Sequence, residues 1–127
     1  MSATVMDFRP KDRICQDAEP IALIYRSMGT QAAEEVVTRA LGELALAMSD
    51  MAQQVRGKNL TDIARKLRRL EGMASQLGLV SVANVAGDAR ACLDGNELTA
   101  FAAVWARLIR VAEVSLAMEI GAVDQKV

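Results

Sequence analysis

From Pro20 onward, apolar residues recur every three or four positions, in segments separated by glycine-containing breaks. That period places them along one side of a helix. Ile21, Ile24, Tyr25 and Met28 predict a short first helix, with Pro20 in its opening turn and Gly29 at its end. The next segment carries Ala33, Val36, Val37, Ala40, Leu44, Ala47, Met48, Met51 and Val55, up to a break at Gly57-Lys58-Asn59. Thr30 is its expected N-cap, and Glu34 and Glu35 fall in the early turns that the helix dipole favours for acids. A third helix has Leu60, Ile63, Ala64, Leu67, Leu70, Ala74 and Leu77 on one face and Gly78 as its stop. Ser81 is read as the cap of a fourth, with Val82, Val85, Ala86, Ala89 and Leu93 inward. After the turn signal Asp94-Gly95-Asn96, a last helix presents Leu98, Phe101, Val104, Trp105, Leu108, Val111, Ala112 and Ser115, fraying towards Asp124-Gln125-Lys126.

Four long amphipathic segments with short joints predict an all-α fold, an antiparallel up-down four-helix bundle preceded by a short N-terminal helix. The expected organisation is an N-terminal arm over 1–16, the bundle over 17–122 and a tail over 123–127. Composition agrees: 52% of the 127 residues are hydrophobic, enough for a core without disulfide or metal, while aromatics at 3% disfavour strands. Cys15 and Cys92 form no CxxC unit and read as two buried, reduced thiols. No signal segment or membrane-length apolar run is seen, so a cytoplasmic protein is expected, with no membrane partner.

The polar side of the third helix is the distinctive region. Thr61, Arg65, Arg68, Gly72 and Ser75 form a stripe beside its apolar face, with Arg69 close by. Together with Arg56, Lys58 and Lys66 they make a locally basic region in a chain of net charge −1. Such a region is either a solvated helix face or a docking patch for an acidic partner. Without interleaved aromatics or an overall basic charge it does not predict nucleic-acid binding. Glycine inside a helix costs about 1 kcal/mol relative to alanine. Gly72 therefore marks either close packing on a neighbouring helix or an opening for a partner.

The segment from Leu60 to Gly78 resembles the central helix of histidine-containing phosphotransfer (HPt) domains. Leu70, Gly72, Leu77 and Gly78 fall on that family's pattern. The order and lengths of the segments from about residue 20 to about residue 120 are also similar. Arg68 stands where the family has its phosphoacceptor histidine, and Glu71 where it has a lysine. The chain contains no histidine at all. A guanidinium stays protonated and is not a nucleophile, so phosphoryl transfer is not expected.

The resemblance implies a pseudo-phosphotransferase of bacterial two-component phosphorelay signalling, not an enzyme. It would bind a response-regulator receiver domain or a histidine kinase without carrying phosphate. Arg65, Arg68, Arg69, Gly72 and Ser75 are the expected partner-binding residues, and Glu71 is read as a helical ion-pair partner of Arg68. The alternative is a structural or self-associating helical bundle with no phosphorelay partner. Leu46, Leu79, Val80, Ile109, Val114, Leu116 and Ile120 lie outside the main stripes and could form a homodimer surface. No cofactor is expected. Metal sites of the bundle type need histidine, and no zinc-ligand cluster or phosphate loop is present.

Overall fold

A computed structural model describes residues 13–126. The fold is all-helical, with five helices: α1 Glu19–Met28, α2 Thr30–Arg56, α3 Ile63–Gln76, α4 Val80–Asp94 and α5 Leu98–Lys126. There is no strand among the described residues. None of these helices is long and apolar enough to cross a membrane. α2 packs against α3, α3 against α4, α4 against α5, and α5 back against α2, while α1 lies on α2. Leu44, Met51, Ile63, Leu67, Leu70, Val82, Val85 and Leu108 fill the space these four helices enclose. Phe101 and Trp105 stack in the same core, with ring centroids 6.2 Å apart.

Three helices end in the same way, and the endings fix where α3 sits. At the end of α3, Gly78 N–H donates to Ser75 O and Leu79 N–H donates to Ala74 O, with Gly78 at φ 73°. This is a Schellman ending, which uses a left-handed residue to satisfy the last carbonyls. It turns Leu79 inward, so that Leu79 is fully buried and not part of any outer surface. α2 and α4 end with the same pair of bonds, but there the left-handed residues are Lys58 (φ 59°) and Asn96 (φ 56°). Gly57 and Gly95, the glycines of the sequence signals, precede them with ordinary negative φ.

Helix starts depart from the expected caps. Gly29, at φ 83°, ends α1 and directly precedes α2, so Thr30 is the first residue of α2 and its hydroxyl caps nothing. Ser81 lies inside α4, where its Oγ accepts the Cys15 N–H at 2.7 Å and its own N–H donates to Cys15 O at 3.1 Å. The third helix begins at Ile63. Leu60 precedes it as a half-buried joint residue, after an Asn59 side chain that accepts from Thr61 N–H.

Of the predicted arm, residues 1–12 lie outside the described residues. Residues 13–17 lie against the α3–α4 joint and α5. Asp17 N–H donates to Gly78 O at 2.8 Å, and Gln16 Nε2 to Ser115 O at 3.4 Å. Asp17 Oδ1 accepts the Glu19 N–H at the start of α1. Cys15 is exposed and Cys92 half-buried, both as free thiols, so the expectation of two buried thiols fails for Cys15. At the other end α5 continues as helix to Lys126, without the expected fraying, and Val123 is buried.

Candidate functional site on α3

The core side of α3 is formed by Ile63, Leu67, Leu70 and Ala74, each 0% exposed. Four residues at that spacing leave the opposite side of a short helix to solvent. Arg65, Arg68, Arg69, Gly72 and Ser75 all lie there and are exposed. A Cβ placed on Gly72 would meet nothing within 4 Å. Close helix packing is therefore not the reason for this glycine. It leaves a gap between side chains on an outward-facing surface.

The two flanks of α3 are used differently. On the α2 side, Lys66 Nζ donates to Asp50 Oδ2 at 2.6 Å and to Gln54 Oε1 at 2.5 Å. On the α4 side, Glu71 takes both carboxylate oxygens to Arg90: Nε donates to Oε2 at 2.6 Å and Nη2 to Oε1 at 3.2 Å. Arg90 also approaches Asp94 at 3.7 Å. The carboxylate lies against α4 beside Gly87, where an added Cβ would stand in ordinary contact, 3.4 Å from Glu71 Oε1. The hydrogen bonds and charge of Glu71 raise the Arg90 pKa, with burial acting in the opposite direction and Asp94 adding to the rise.

This corrects the expected pairing of Glu71 with Arg68. For the Glu71 carboxylate, an arginine three residues away on the same helix competes poorly with a guanidinium on the next helix that reaches it as a two-point fork. Arg68 and Arg69 have no ion-pair partner among the described residues, and Arg65 reaches only Asp62, at 3.5 Å in an exposed pair. The basic patch is also smaller than the sequence suggests. Lys66 is occupied by Asp50, and Arg56 lines a hollow between α2 and α5 with Ile109 and Glu113. What remains on the outer side of α3 is Arg65, Arg68 and Arg69 around the gap at Gly72.

Among the described residues no group of His, Cys, Asp and Glu is placed to hold a metal ion. Comparison with protein families, with curated proteins and with solved structures gives no match. The HPt resemblance thus rests on the residues of α3 and on the order and lengths of the helices.

Sequence reasoning missed Arg90 and Gly87. They lie on α4, 19 and 16 residues from Glu71, and nothing in the local pattern links them. The one available signal was an acid at the family's lysine position, which needs a cation nearby if it is half-buried.

The bridge makes a testable demand. Arg90→Ala is expected to lower the melting temperature more than Arg65→Ala, because it leaves Glu71 half-buried without its partner. Adding Glu71→Gln to Arg90→Ala should recover part of the loss, measured by thermal denaturation of the four proteins. Equal melting temperatures for Arg90→Ala and Arg65→Ala would mean that the bridge contributes nothing.

Proposed function

We propose that this chain is a non-catalytic HPt-like module, an antiparallel four-helix bundle that binds a receiver domain or a histidine kinase without carrying phosphate. The observation that carries this reading is the outer side of α3. Arg68, with no ion-pair partner among the described residues, occupies the position of the family's histidine, and the open site of Gly72 lies one turn further on. The closed circuit of α2, α3, α4 and α5 supports the bundle.

A receiver's phosphoacceptor pocket is acidic, and a planar, permanently charged guanidinium can donate to two carboxylate oxygens at once. Gly72 lets the partner's backbone approach the helix closely. Glu71 would otherwise repel an acidic partner, but Arg90 neutralises it. With no histidine in the chain, this face lacks the neutral imidazole nitrogen that HPt phosphoryl transfer uses. The module would occupy a receiver or kinase and compete with phosphate-carrying HPt proteins.

The test is affinity for a panel of receiver domains and histidine kinases from the same host. Arg68→Glu should weaken binding by about tenfold or more, since like charges at a contact cost more than 1.4 kcal/mol. Gly72→Leu should weaken it by steric block while circular dichroism shows the helix intact, leucine being the better helix former. Binding should fall with salt, because exposed charges are screened over about 8 Å at physiological ionic strength. Labelled phosphate offered by a phosphorylated receiver should not appear on the chain. Binding that ignores both substitutions would move the docking site off α3, and acid-labile label on the chain would refute the non-catalytic reading.

The second reading, a self-associating bundle with no phosphorelay partner, is favoured by one observation: Leu46 is 72% exposed on the outer side of α2. It takes over if no receiver or kinase binds.

A further inference from the structure

We infer that the outer side of α2 is a homodimer interface, on which the α2 helix of a second copy lies antiparallel about a two-fold axis close to Leu46. This surface is separate from the stripe on α3.

The first observation is apolar exposure. Leu46 is the most exposed large hydrophobic among the described residues, at 72%, and Ile120 on neighbouring α5 is 52% exposed. Between α2 and α5 runs an open apolar groove whose walls include Leu41, Ala45, Leu116 and Ile120. It continues along α2 past Met48 and Ala52, with Ala45 and Leu116 shared by both stretches. Gly42, on the same side of α2, has nothing within 4 Å of where its Cβ would be. Nothing in the chain covers this face among the described residues.

The second observation decides the occupant. Two pairs of charges along the outer side of α2 are complementary to the same charges read backwards, while the exposed Glu43 falls opposite no charge, level with the partner's Met48. Glu35 and Arg56 lie equally far on either side of the point between Ala45 and Leu46, about 30 Å apart along the helix axis. Arg39 and Asp50 bracket nearly the same point. In an antiparallel pair centred there, Glu35 stands level with the partner's Arg56, and Arg39 close to the level of the partner's Asp50. Each match occurs twice by symmetry. Glu35, Arg39 and Arg56 have no ion-pair partner within the described residues, and Asp50 has one oxygen engaged with Lys66. A parallel pair would instead set Glu35 against itself and Arg56 against itself. Leu46 then lies level with the partner's Ala45, and the small side chains around it let the two helices come close. The self-complementarity is what an isologous two-fold contact requires.

The proposal is tested by sedimentation equilibrium of the full chain over a range of concentrations. The wild type should show a reversible monomer–dimer equilibrium. Leu46→Glu should raise the dimer dissociation constant by about tenfold or more, by burying a charge against the partner's apolar surface. Glu35→Arg and Arg56→Glu should each weaken the dimer, and the double variant Glu35→Arg/Arg56→Glu should restore it, because the swap regenerates both matches. All of these positions are exposed, so circular dichroism should be unchanged. Arg68→Glu should leave dimerisation as in the wild type, and Leu46→Glu should leave receiver binding unaffected. The two surfaces therefore stand or fall separately. A wild type that stays monomeric at every concentration overturns the proposal. So does a dimer that tolerates Leu46→Glu, or one in which the charge swap fails to restore association.

Discussion

Leu67→Ala is expected to lower stability by about 2–5 kcal/mol, the range for truncating a core leucine that its neighbours cannot replace. Leu67 is 0% exposed and lies midway along the buried side of α3, between Ile63, Leu70 and Ala74. α3 is held between α2 and α4, so the cavity left by alanine cannot be closed by moving one helix without unpacking another. Arg65→Ala, two residues earlier and facing solvent, should change stability by less than about 0.5 kcal/mol. Urea denaturation of the two variants reads both numbers. The contrast matters for function because Arg68 follows Leu67 directly. If Leu67→Ala were harmless and Arg68→Ala severe, α3 would be rotated about its axis by one residue, and every role assigned to its outer side would move with it.

Gly78→Ala is expected to be the most damaging glycine substitution in the chain. Gly78 has φ 73°, and a Cβ there would fall on the carbonyl oxygen of Asp17, with the Pro20 ring 3.3 Å away on the same side. The left-handed backbone alone costs an L residue about 1–2 kcal/mol. Moving Asp17 also removes its hydrogen bond to Gly78 O and disturbs the Asp17 cap on α1. A total loss above about 2 kcal/mol follows from these together. Gly121→Ala is the control: it sits within α5 with open space around it, and should gain about 0.5–1 kcal/mol from helix propensity. Thermal denaturation gives both values. Hydrogen exchange adds a local reading: Gly78→Ala should remove protection at Cys15 and Asp17 before it affects α3. Retained protection at both amides would show that the arm does not depend on this glycine.

The periodicity of apolar residues made the five helices legible, and it worked best where the helix is short and packed on one side. All four buried residues of α3 were placed inward by spacing alone. Spacing worked less well on α2, which carries apolar residues over much of its circumference. Leu41 is 2% exposed but was not on the inward face read from the sequence, while Val36 and Ala40, which were, are half-buried. Leu98 continues the inward pattern of α5 yet is 52% exposed, as the first residue of the helix after the α4–α5 turn. The breaks were found, but not which residue bears the unusual backbone. A glycine in a turn signal marks a place where the chain can reverse, and at Gly57 and Gly95 the left-handed turn falls one residue later. Of the candidate site, the exposed stripe was legible because exposure follows from the same period that gives the core. The Glu71–Arg90 bridge was not, since it depends on how two helices face each other and not on either sequence.

The tether of residues 15–17 bears on the order in which the molecule can assemble. These residues leave the ribosome before any of their partners. Cys15 waits for Ser81, 66 residues later, and Gln16 for Ser115, 99 residues later. Loops of that length carry more closure entropy than the contacts between neighbouring helices, so these contacts are expected to form late, after α3, α4 and most of α5 have packed. The same contacts are then expected to open before the helices they join, which hydrogen exchange at the Cys15 and Asp17 amides would read. Residues 15–17 would then act as a clasp, fastened once the helices they cross are in place.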